Sequence, residues 1–72
     1  MIRVEEVIDT DDKLKTYKIS AFADTKSEVQ TAGLSDYVGL PSDATGLELG
    51  SDVITADGDF AFMKSNGQWN WI

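Results

Sequence analysis

Apolar and polar residues alternate every second position over much of this chain, which is the period of a strand rather than of a helix. In residues 2–8, Ile2, Val4, Glu6 and Ile8 stand against Arg3, Glu5 and Val7, giving one mostly apolar face. Residues 14–23 repeat the pattern, with Tyr17, Ile19, Ala21 and Ala23 on one side and Thr16, Lys18 and Ser20 on the other. Between them lies Asp9-Thr10-Asp11-Asp12-Lys13, a run of turn formers. The pattern predicts a β-hairpin from 2–8 and 14–23. Phe22 falls on its polar side, which predicts a bulge or a strand end nearby.

The period then changes. Thr25-Lys26-Ser27-Glu28 has the spacing of a capping box, in which the Thr hydroxyl and the Glu carboxylate each accept a backbone N–H at a helix start. A short helix or turn near 26–31 follows, stopped by Gly33. Residues 33–50 hold four glycines and the single proline, but also Leu34, Tyr37, Val38, Leu40, Leu47 and Leu49, too many apolar side chains for a flexible linker. This stretch reads as a packed loop, with a short edge strand over 46–50.

The last third reads as a three-stranded meander over 52–56, 59–64 and 68–72. Asp57-Gly58 and Asn66-Gly67 favour two-residue turns, because both central residues of a type I′ turn need positive φ. Those loops set a register in which Val53, Phe62 and Trp71 form one row, with Thr55, Phe60, Lys64 and Trp69 around it. Ile54, Ala61 and Ile72 form a row on the opposite face, with Met63 nearby. Both faces thus carry apolar rows, whereas a surface sheet normally keeps one face wet. One face can pack on the hairpin; the other calls for the central loop or a second copy of the chain. The candidate interface residues are Ile54, Phe60, Phe62, Met63, Trp69, Trp71 and Ile72.

Length and composition sharpen this mainly β reading, a small antiparallel sheet or sandwich forming a single domain over 1–72. Leu, Ile, Val and Phe number eighteen of 72 residues, enough for a core but a thin one. With no Cys and no His, disulfides are excluded and tetrahedral zinc is disfavoured, leaving oligomerisation as the device that steadies so small a domain. The net charge of −7 is uneven: residues 27–72 hold Lys64 alone against seven acids. Such a surface repels nucleic-acid phosphates and anionic lipid, so neither DNA, RNA nor membrane is an expected partner.

Candidate chemistry is sparse. No residue set forms a nucleophile elbow, a phosphate loop or a zinc-protease pattern, and no enzymatic activity, cofactor or metal is expected. Asp9, Asp11 and Asp12 suggest calcium, but the EF-hand glycine and twelfth-position acid are missing, so a solvated loop is the better reading. Asp57 and Asp59 read as turn residues. Trp69 and Trp71 could stack on sugar rings, yet the expected register sets Trp71 against Phe62 and Trp69 under Lys64, as at the edge of a core.

The stretches FADTKSEV (22–29) and GSDVITADGDFAFMKSNGQWNW (50–71) resemble small proteins of tailed bacteriophages and prophages of Gram-positive hosts, encoded among head and tail morphogenesis genes. The resemblance implies a virion structural protein present in many copies, bound to other virion proteins as a capsid-associated, head-fibre or tail component, and found in host cytoplasm during assembly. The residues leave two other readings open: a carbohydrate-binding module using Trp69 and Trp71, and a small acidic regulatory or inhibitory protein for a basic partner.

Overall fold

The computed structural model describes residues 1–64 and 67–72. It is mainly β, with seven strands in one sheet: β1 (Ile2–Asp11), β2 (Thr16–Ala23), β3 (Tyr37–Val38), β4 (Gly46–Leu47), β5 (Asp52–Thr55), β6 (Phe60–Met63) and β7 (Trp69–Trp71). Helix α1 (Lys26–Thr31) follows β2, and a 3-10 turn spans Leu34–Asp36. The strand order is β3-β1-β2-β5-β6-β7, and β4 pairs with β2 alongside β5.

The N-terminal hairpin forms as the alternation predicts, but its turn lies later, over residues 12–15. Asp11 causes this: its carboxylate accepts N–H bonds from Lys13 and Leu14, both at 3.0 Å, and Lys15 closes the loop with φ +58°. Of the two outcomes expected near Phe22, the strand end is present, β2 stopping at Ala23, while the bulges fall on β1, where Glu5 and Ile8 are extra residues with no partner in β2. After the first bulge Val7, not Ile8, pairs with Ile19. Phe22 itself is in regular register, between Arg3 and Ile54.

Helix α1 carries the predicted capping box. Glu28 N–H donates to the Thr25 hydroxyl at 3.2 Å, and Thr25 N–H donates to the Glu28 carboxylate at 3.0 Å. Only two turns long, the helix cannot stand alone; it holds because Val29 is buried against the sheet. Thr25→Ala is expected to cost about 1 kcal/mol and lower the melting temperature by roughly 4–8 °C. Thermal denaturation followed by circular dichroism checks this, and an unchanged midpoint would mean that the cap contributes nothing.

Antiparallel pairing holds in the hairpin and in the C-terminal strands, but the two halves join in parallel. Ala21 pairs with Val53 and Ala23 with Thr55 in the β2–β5 seam, and β1–β3 and β2–β4 are parallel too. The chain can do this because residues 24–51, containing α1, supply the long crossover that parallel neighbours need. Where β4 gives way to β5, the ladder is completed by a side chain: Ile19 N–H donates to the buried Ser51 hydroxyl at 3.0 Å.

In the C-terminal strands each register is one residue away from the two-residue-loop expectation. Val53 pairs with Ala61, Ile54 with Phe60, Ala61 with Trp71 and Met63 with Trp69. Gly58 takes φ +89° while Asp57 does not enter the left-handed region, so the first turn is a three-residue loop. Gly58 N–H donates to Thr55 C=O at 3.0 Å and Thr55 N–H to Asp59 C=O at 2.9 Å, the pattern of a type I turn followed by a glycine bulge. Asn66, assigned to the second turn, lies outside the described residues. Gly67 beside it has φ +74°, and its N–H donates to Lys64 C=O at 3.0 Å. Two shifts of one residue cancel for β7 and invert only β6. Ala61 and Met63 therefore face the core, and Phe60 and Phe62 face outward.

The sheet is strongly curled. Tyr37 on β3 and Trp69 on β7 lie at opposite ends of the strand order, five spacings apart, or about 24 Å were the sheet flat. Yet the Trp69 indole N–H donates to the Tyr37 hydroxyl at 2.8 Å. The concave side so formed holds the core, centred on Ile2, Ile19, Ala21, Val53 and Ala61, against which Val29, Ala32, Leu40 and Ala44 pack from the helix and loops and Leu47 from β4. The bulges in β1 contribute to the curl by increasing strand twist.

Candidate interaction surface and cleft

Two surfaces result from this geometry, and the seven candidate interface residues divide between them. Ile54, Phe60, Phe62 and Ile72 lie on the convex face. Met63, Trp69 and Trp71 lie on the concave side, where Met63 is buried and the two indoles pack against the core.

The convex face carries one continuous transverse row. Register places Arg3, Phe22, Ile54 and Phe60 side by side on β1, β2, β5 and β6, and Ile72 N–H donates to Phe60 C=O at 2.9 Å, extending the row past the end of β7. Ile54 is 47% exposed and Ile72 81%, while Phe22 and Phe60 are half-buried only by their neighbours in the sheet. One position along, Ser20, Asp52, Phe62 and Asn70 form a more polar row, in which the Ser20 hydroxyl donates to Asp52 at 2.7 Å. The Lys64 ammonium sits 5.5 Å from the Phe62 ring centroid, not over Trp69 as the sequence register implies. The helix and the central loop pack Val29, Ala32, Leu40 and Ala44 against the core on the concave side, and among the described residues Ile54 and Ile72 of the convex row stay exposed.

The concave side opens at one mouth into a cleft of about 610 Å³ between β7 and the segment from α1 to the 3-10 turn. Trp69 and Trp71 form one wall, Val29 and Leu34 the other, with Tyr37, Leu47 and Met63 between them. Trp69 is held by its bond to Tyr37. Burial pushes the Tyr37 phenol above its ordinary range, and the indole N–H it accepts works the other way. The Lys26 ammonium lies 5.1 Å from the Trp71 ring centroid. The sequence marked both indoles as functional candidates, but the cleft's other wall comes from the central loop, whose path no local pattern specifies.

Among the described residues, no group of three or more acids could hold a metal ion. Two of the N-terminal acids serve their own backbone: Asp9 accepts from Thr10 N–H at 2.8 Å, and Asp11 caps the hairpin turn. Nor is any helix there long and apolar enough to cross a membrane. No protein-family model, curated protein or solved structure matches the chain.

Proposed function

We propose that this chain is a non-enzymatic structural protein of a tailed-phage virion, acting by self-association and by contact with other virion proteins through its convex sheet face. The observation that carries the reading is the row Phe22–Ile54–Phe60–Ile72, which crosses β2, β5 and β6 and ends just past β7 in a domain with few large apolar residues to spare. Contiguous exposed apolar surface of this kind is a mark of protein contact rather than of a solvated face. The virion setting rests on the sequence resemblance of residues 22–29 and 50–71.

The net charge of −7 opposes close approach of copies. Salt screens that repulsion and strengthens apolar contact, so association should rise with ionic strength. Size-exclusion chromatography with light scattering at micromolar concentration is expected to give a multiple of the 7.9 kDa chain mass. Ile54→Lys, at an exposed position, should reduce it to the monomer without changing the circular dichroism spectrum. A wild-type monomer at high salt with a well-dispersed NMR spectrum would reject self-association. The virion assignment has its own test, mass spectrometry of purified particles from a phage that encodes the chain, and absence from the particle rejects it.

A further inference from the structure

We propose that the cleft between β7 and the α1 segment binds an uncharged sugar ring of an oligosaccharide. This site lies on the opposite side of the sheet from the convex row and is independent of self-association.

Three observations converge. The first is charge: among the described residues lining the cleft none is an acid or a base, and the ammonium beside its walls is that of Lys26, 5.1 Å from the Trp71 ring centroid. A cation would lose its hydration there with no lining carboxylate to meet it and with the Lys26 ammonium nearby, which is strongly unfavourable. An anion would meet only that one ammonium, against the repulsion of a net charge of −7. The occupant is therefore neutral.

The second is the mixed character of the walls. Trp69, Trp71 and Leu34 supply apolar surface, while Gln30 supplies an amide and Thr45 a hydroxyl oxygen that can accept, its proton being donated to Leu14 C=O. A wholly aliphatic ligand would strip water from those polar groups and give nothing back. A sugar ring presents a C–H face to the indoles and hydroxyls to the polar side chains, and so satisfies both. The volume of about 610 Å³ is in the usual range for small-molecule sites, and the mouth of a curled sheet is a common place for them.

The third is preorganisation. The Trp69 indole is fixed by its 2.8 Å bond to Tyr37, so little rotamer freedom remains to be lost when a ligand stacks on that wall.

The chain has only two Trp residues and both line the cleft, which makes the test direct. The intact protein is titrated with two neutral probes, maltotriose and a trimer of N-acetylglucosamine, while the indole N–H resonances and Trp fluorescence are followed. At least one probe should shift both indole signals saturably, with a midpoint in the millimolar range. Trp71→Ala should weaken that binding at least tenfold. Since this change could also unfold the protein, Gln30→Arg provides a second variant, placing a charge at an exposed helical position on the cleft rim; it too should weaken binding several-fold with the spectrum otherwise preserved. Unmoved indole signals with both sugars at tens of millimolar would overturn the assignment. So would a response to an apolar peptide or an anionic glycan but to neither neutral probe.

Discussion

Ile19→Ala is expected to remove about 2–5 kcal/mol of folding stability, the range for truncating a fully buried Ile. Ile19 sits in the middle of β2, has no exposed surface, and belongs to the cluster that fills the concave side. A domain of this size has a total stability of roughly 4–11 kcal/mol, so the change removes a large part of it. Urea denaturation at fixed protein concentration measures the loss, since association would otherwise add a concentration-dependent contribution. A loss well below about 1 kcal/mol would mean that the concave side is not the closely packed core described above.

Ser51→Ala is expected to cost about 1–3 kcal/mol, although it deletes one oxygen atom and leaves little cavity. The Ser51 hydroxyl accepts the Ile19 N–H at 3.0 Å where the ladder between β2 and its parallel neighbours is interrupted, and Ser51 has no exposed surface. Without that oxygen the Ile19 amide stays buried with no acceptor. Backbone bonds around it hold the segment in place: Met63 N–H donates to Ser51 C=O at 2.8 Å and Gly50 N–H to Met63 C=O at 3.0 Å. The site therefore cannot easily collapse to offer a substitute. Amide hydrogen exchange isolates the effect, because Ile19 N–H should lose protection beyond the global loss of stability. Equal loss across β2 and β5 would show that the hydroxyl is not the local acceptor. Ser51→Thr, which keeps the oxygen, should retain the protection if its methyl group is accommodated.

What could be read from the sequence was whatever is encoded locally. The hairpin, the capping box and the three C-terminal strands each have a signature within a few residues, and each is present. The register of those strands differs from the two-residue-loop expectation because Asp-Gly serves two loop lengths: a type I′ turn needs positive φ at both residues, whereas here only Gly58 adopts it. That single difference turned β6 over, moving Phe60 and Phe62 from the expected Val53–Trp71 side to the face with Ile54 and Ile72. The parallel seam left no signature at all. Its partners are brought together by a crossover, not a turn, and the hydroxyl of Ser51 that completes it looks in sequence like any loop serine. The candidate surfaces were legible to the same degree. Aromatic residues of the last third were recognisable as functional candidates, but their division between a convex row and a cleft depends on the curl and on the inverted strand.

The β2–β5 seam also has a kinetic consequence. Hairpin and C-terminal strands are short-range structures that form within their own segments, whereas the seam pairs residues 32 apart, such as Ser20 and Asp52. Closing that loop orders the crossover before the core can reward it, so the seam belongs to the slow part of folding. Until it closes, β2 and β5 each present an unpaired edge and apolar side chains from both sides of the sheet. During assembly at high local concentration, the same two edges are where one copy could pair with another before pairing with itself.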